Sequence, residues 1–139
     1  MSEQEQQEQQ EEKKEEEQPG LKDQMFGLEG SPSPEQVEAW KGEFGDVYVS
    51  GFSPTEIFVW RSITRPEWVQ LQEFAGDPKN QIDQYKFEEL VCDTCILWKS
   101  VQGSWDIGKA GTPSSLQEQI LQNSNFVSPQ HASMLVQKL

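Results

Sequence analysis

Asp46-Val47-Tyr48-Val49-Ser50 and Ile57-Phe58-Val59-Trp60-Arg61 stand on either side of Ser53-Pro54-Thr55. Both runs are dense in β-branched and aromatic residues, and the Ser-Pro-Thr between them is turn chemistry, so the stretch reads as a β-hairpin. Alternation puts Val47 and Val49 on one face. Either Ile57 with Val59 or Phe58 with Trp60 then lies opposite them, and the pattern permits both registers.

Outward from the hairpin, helix signals dominate. Ser33-Pro34-Glu35-Gln36 and Thr64-Arg65-Pro66-Glu67 each place a hydroxyl before a first-turn proline, with Gln or Glu three residues after the cap. That is capping-box chemistry. Val37, Trp40 and Phe44 follow the first start; Trp68, Leu71 and Phe74 or Ala75 share a face after the second. Thr112-Pro113 and Ser128-Pro129 read as two further starts. The periodicity over 81–98 predicts one long helix through Tyr85, Leu90, Val91 and Leu97 or Trp98. Residues 100–111 lack a period and read as a loop that packs over the core by Trp105. The expected class is therefore α+β: a mainly helical small domain with one central hairpin.

Charge divides the chain. The 139 residues carry 24 acids against 11 bases, a net charge of −13. Residues 1–18 hold eight Glu, six Gln and two Lys with almost nothing apolar, so little could repay the entropy of ordering them. The expected organisation is a disordered Glu/Gln-rich tail and linker over 1–32, then a single domain over 33–139. The domain itself still carries −7. Such a balance repels phosphate backbones and anionic lipid, which argues against nucleic acid and membrane surfaces as partners. No unbroken apolar run exceeds four residues, as in Cys95-Ile96-Leu97-Trp98, whereas a membrane span needs about 20. With neither a secretory nor a transit pattern at the start, a soluble protein of the compartment of synthesis is expected.

Catalytic chemistry is hard to assemble from these residues. Cys92-Asp93-Thr94-Cys95 is a CxxC pair, but it falls late in a helix, not at a helix N-terminus where amides lower a thiol pKa. Two small buried side chains account for its spacing, and a thiol-redox pair is the alternative. With two Cys and the single His131, a four-ligand zinc site is short of donors, and no metal or cofactor is expected. Glu88 and Glu89 are adjacent on a helix and so do not face one another as acid and base. No phosphate-binding glycine loop or nucleophile elbow occurs, and no catalytic residue is assigned.

A series of motifs remains. Trp40-Lys41 and Gly45-Asp46-Val47-Tyr48 precede Phe58-Val59-Trp60-Arg61-Ser62-Ile63-Thr64-Arg65-Pro66-Glu67-Trp68; Phe87-Glu88-Glu89-Leu90-Val91 runs into Cys95-Ile96-Leu97-Trp98; Ala110-Gly111-Thr112-Pro113-Ser114-Ser115-Leu116 leads to Ile120-Leu121. Over about 36–126 this order resembles the small tail-assembly chaperone-like proteins of long-tailed bacteriophages. The resemblance implies a non-enzymatic binding protein of the host cytoplasm. It would keep the long helical tape-measure protein, or another tail protein, soluble until the tail tube forms around it. An acidic body offering an apolar groove to amphipathic helices fits that role. The candidate partner-binding residues are Trp60, Arg61, Arg65, Trp68, Phe74 and Trp105. A minor virion protein of the baseplate or capsid is the rival within the same biology; a thiol-redox protein using Cys92 and Cys95, or an acidic DNA mimic, are rivals from other classes.

Overall fold

A hairpin alone cannot bury two apolar faces, and the way this one does so organises the molecule. The structure, a computed structural model, describes residues 20–139. The disorder expected over 1–18 lies outside the described residues. Strands β1 (Val47–Ser53) and β2 (Glu56–Arg61) pair antiparallel, and a third strand, β3 (Ile96–Lys99), joins the other edge of β2. Around this sheet run helices α1 (Leu21–Phe26), α2 (Pro34–Phe44), α3 (Arg65–Gly76), α4 (Gln84–Cys95), α5 (Thr112–Gln122) and α6 (Pro129–Met134). Short 3-10 turns lie at Pro78–Asn80 and Trp105–Ile107. The class is α+β, as the alternation and the helix starts imply.

The register is Val49 opposite Val59 and Tyr48 opposite Trp60. Val47 and Val49 therefore share a face with Ile57 and Val59, which settles the ambiguity left by alternation. On that face Met25 of α1 is buried, with Val37 and Trp40 of α2 packed beside it. The opposite face carries Phe58 and Trp60 into a second cluster with Val91, Cys92 and Cys95 of α4 and Leu116 and Ile120 of α5. Each fully buried aliphatic side chain of this kind contributes about 1.5–3 kcal/mol relative to exposure. Both faces of β2 are thereby covered, and Ile57, Phe58, Val59 and Trp60 are all buried. A continuous apolar run in a central strand is the expected signature of that arrangement.

Three expectations change. The linker expected up to residue 32 instead contains α1. Leu21, Met25 and Leu28 recur close to helical spacing, and Leu21 lies against the bare backbone of Gly51, where a β-carbon would collide with it. The long helix over 81–98 starts at Gln84, capped by the Asp83 side chain on the Lys86 amide at 2.8 Å, and stops at Cys95. Ile96-Leu97-Trp98-Lys99 pairs with β2 instead, because its β-branched and aromatic side chains gain more on a sheet with both faces buried than on one helical stripe. The sheet thus has three strands where a hairpin alone was expected. Finally, Thr112 does not cap α5: Gly111 is the cap residue, and Thr112 is buried as the first helical residue. The hydroxyl caps at Ser33, Thr64 and Ser128 do form, Thr64 with the full reciprocal box to Glu67.

Candidate protein-docking surface

The six partner-binding candidates separate once the fold brings them together. Trp60 is 2% exposed, stacked on Tyr48 at 4.6 Å, and donates its indole N–H to Ser50 Oγ at 2.8 Å. Ser50 in turn donates to Gln119 Oε1, so a buried polar chain joins the sheet to α5. Trp60 is core, a correction to its surface role. Facing inward on a central strand, its ring is worth more against α4 and α5 than in water.

Arg61 is likewise withdrawn from any partner. Its side chain is 12% exposed and grips Glu67 through two parallel hydrogen bonds of 2.8 and 2.7 Å. The same guanidinium donates to the carbonyls of Ser62 and Thr94, both at 3.1 Å, and lies over the Phe44 ring at 4.8 Å. Glu67 also accepts from the Thr64 amide and hydroxyl. The Arg61 hydrogen bond, aided by those from Thr64, pulls the Glu67 carboxyl down to about 2 and raises the Arg61 guanidinium. This clamp ties β2, the start of α3 and the end of α4 together; its charge is paired with Glu67, and the buried Arg61 Nε–H alone has no hydrogen-bond partner.

Trp105 is half-buried over the sheet, near-parallel to Phe58 at 5.8 Å, with its indole N–H on Asp93 Oδ1 at 3.0 Å. It closes the core as the loop reading expects. Phe74 is exposed on α3, apart from the other aromatics that form ring contacts. Arg65 and Trp68 line one hollow together with a residue outside the candidate set, Phe126.

Phe126 is held in position by the end of α5. Asn125 adopts a left-handed backbone (φ 68°), a conformation asparagine tolerates better than most residues. The turn it makes lets the Phe126 amide reach back to Leu121 O at 3.0 Å. Ser124 fastens this turn to the sheet, donating to Ile120 O at 2.6 Å and accepting from the Ile63 amide at 2.9 Å. Phe126 then leans on Trp68, ring centroids 4.7 Å apart, and Trp68 meets Phe87 edge-on at 5.5 Å. Two open hollows flank Phe126. One, of about 200 Å³, is walled by Thr64, Arg65, Trp68 and Ser124; the other, of about 660 Å³, lies between α5 and α6 beside Leu121, Val127 and His131. Phe126 keeps 37% of its surface exposed.

The electrostatics of this side are distinctive. Every one of the 24 acids lies at or before Glu118, so residues 119–139 contain no carboxylate side chain. Of the two hollows, the one beside Arg65 has no acid on its walls, and the larger has Glu118 alone. A running count of charge along the sequence shows where the acids end.

The CxxC thiols and the Glu88–Glu89 carboxylates are each engaged within the fold. Cys92 and Cys95 are free and fully buried, with Cys92 Sγ donating to Pro113 O at 3.3 Å. Burial pushes both thiols up, Cys95 to about 12 despite the opposing pull of Arg61, and Cys92 further. A thiolate is therefore not formed near neutrality. Glu88 accepts from Ser114 while Glu89 reaches Lys86 at 4.0 Å, so the adjacent carboxylates serve different neighbours. Among the described residues no group of three His, Cys, Asp or Glu could hold a metal ion, and no helix is long and apolar enough to cross a membrane.

Comparison with protein families, with curated proteins and with solved structures finds no match.

Proposed function

We propose that this protein is a non-enzymatic protein-binding factor of bacteriophage tail assembly, acting in the host cytoplasm as a chaperone for helical segments of the tape-measure protein. The observation that carries the binding role is the pair of open, partly apolar hollows flanking Phe126, the smaller with Arg65 on its wall and the larger with Glu118 as its one acid. Amphipathic helices dock by placing apolar anchors at i, i+3 or i+4 into such depressions, and an exposed aromatic between two hollows suits that spacing. Acids elsewhere on the surface keep the complex dispersed. The motif order over 36–126 supplies the phage context.

Co-expression with a tail gene cluster tests the reading. The tape-measure protein is expected to co-purify with the native chain and to be lost with Phe126→Glu, which adds a carboxylate to the hollows. A Phe126→Glu chain that still retains the tape-measure protein sinks the assignment of the surface. Mass spectrometry of purified particles tests the chaperone role: a chaperone is absent from them, while a minor virion protein of the baseplate or capsid is retained.

A further inference from the structure

The loop over 100–111 does more than close the core by Trp105. Between it, β2 and the start of α5 lies a hollow of about 110 Å³, whose apolar walls are Phe58, Val101, Trp105 and Ile107. Val101 and Ile107 are 41% and 77% exposed, so the hollow opens to solvent on their side. Gly103 shapes the loop: its φ is +108°, and a β-carbon there would stand 2.9 Å from Ile107 Cδ1. Three polar features share this small space. Lys99 reaches the Gly103 carbonyl at 3.5 Å and lies over the Trp105 ring at 5.3 Å, and Lys109 lines the same hollow. Among the described residues neither lysine forms an ion pair, although acids outnumber bases by 24 to 11 in the chain. Thr112 is only 8% exposed, lines the hollow, and its hydroxyl has no hydrogen-bond partner among the described residues. Such a group is an unmet demand that a ligand can satisfy. Thr112 also opens α5, whose cap residue, Gly111, has no side chain to offer the first-turn amides, and the positive end of a helix favours negative charge.

We infer that this hollow binds a small carboxylic acid with a short branched alkyl chain, its carboxylate facing Lys99, Lys109 and the Thr112 hydroxyl and its alkyl part against Phe58, Val101 and Ile107. Size sets the class: an apolar cavity of about 150 Å³ holds benzene, so this one takes about four or five carbons. Charge sets the sign, because two ammonium groups face one acid, Glu56, on the walls. An inorganic anion would leave the apolar walls bare, and a neutral alkane would leave the lysines and the hydroxyl unused. Apolar walls with a few convergent polar groups are the usual construction of a small-molecule site. The hollow shares no residue with the two that flank Phe126, so it stands apart from tape-measure capture.

Titration of the isotope-labelled full chain with isocaproate, followed by amide and indole NMR shifts, tests it. Saturation with a Kd on the order of 1 mM is expected. The largest shifts should fall at the Gly103, Gly108 and Thr112 amides and the Trp105 indole, all on the walls. Isocaproamide, of the same shape without the charge, and acetate, charged without the alkyl part, should each bind about tenfold more weakly. Lys99→Met with Lys109→Met should weaken isocaproate about tenfold and leave isocaproamide unchanged, which also shows that the double variant is folded. Thr112→Val, which keeps the shape, should weaken isocaproate about threefold. Absence of saturation up to about 20 mM overturns the proposal, as does equal affinity for isocaproate and isocaproamide. So does either variant that binds isocaproate as the wild type does, or a set of shifts centred on Phe126. Phe126→Glu should leave isocaproate binding intact, so loss of tape-measure capture and loss of this site are read separately.

Discussion

Leu116 and Phe126 are only ten residues apart, yet they belong to opposite regimes. Leu116 sits with Ile120 in the cluster beneath Phe58 and Trp60, fully buried between helix and sheet. Beyond Asn123 the chain has no fully buried residue: Phe126 rests one face on Trp68, while Met134, Leu135 and Val136 are exposed. The first regime holds the fold together. The second contributes little to stability, so its apolar content has to be explained by what it meets, and large exposed patches of this kind mark interaction surfaces.

The sharpest way to break the contrast is by truncation. Leu116→Ala is expected to cost about 3–4 kcal/mol in chemical denaturation, because a fully enclosed cavity is left among Val91, Cys92 and Ile120. Phe126→Ala should cost about 1 kcal/mol or less, and equal losses at the two positions would erase the contrast between them. The next effect is at the clamp. Glu67→Gln should cost about 2 kcal/mol at pH 7, leaving the Arg61 guanidinium poorly compensated. Its pH dependence has a definite sign. The Glu67 carboxyl is lowered from 4.5 to about 2 by the Arg61 hydrogen bond, so its stabilisation is complete above about pH 4.5 and is lost as pH falls toward 2. The stability gap between wild type and Glu67→Gln, followed by urea melts from pH 6 to pH 2, should close over that window.

Smaller again is Ser50→Ala, expected to cost about 1–2 kcal/mol, since it strands the Trp60 indole N–H and the Gln119 amide oxygen in a buried site. The intrinsic fluorescence of the five tryptophans offers a convenient reporter of that melt. Smallest of all is Leu135→Ser, which should change the stability of the single molecule by less than about 0.5 kcal/mol. A larger loss would mean that the 128–139 segment packs on its own body. Both thiols should resist a disulfide reagent at pH 8 in native buffer and react once the chain is unfolded in urea, which separates packing from redox chemistry.

How far these regimes are legible in the sequence follows from the range of the forces involved. The caps at Ser33, Thr64 and Ser128 are visible because a hydroxyl satisfies amides only three residues away. The hairpin register was open because both strands alternate acceptably in either phase, and only Met25 and Val37 on one side, with Leu116 and Ile120 on the other, decide it. Ile96-Leu97-Trp98 continues the apolar pattern of α4 well enough to hide a strand whose partner, β2, lies some forty residues earlier. At the candidate surface, the cap at Thr64 places Arg65 and Trp68 in the first turn of α3, but sequence alone does not say that Trp68 packs half-buried against the core. Nor were Trp60 and Arg61 legible, since an aromatic or an arginine on a strand reads the same whether it faces water or a buried acid such as Glu67. Phe126 escaped notice because its place depends on the left-handed turn at Asn125, which sequence period does not reveal.

Ser124 gives the surface a sensor. Its one hydroxyl oxygen accepts the Ile63 amide from the end of the sheet while holding the turn that presents Phe126. Anything that seats beside Phe126 and shifts that ring by a fraction of an ångström must stretch or shorten this link. The amide proton of Ile63, two residues past the end of β2, should therefore register occupancy by its chemical shift and its rate of solvent exchange.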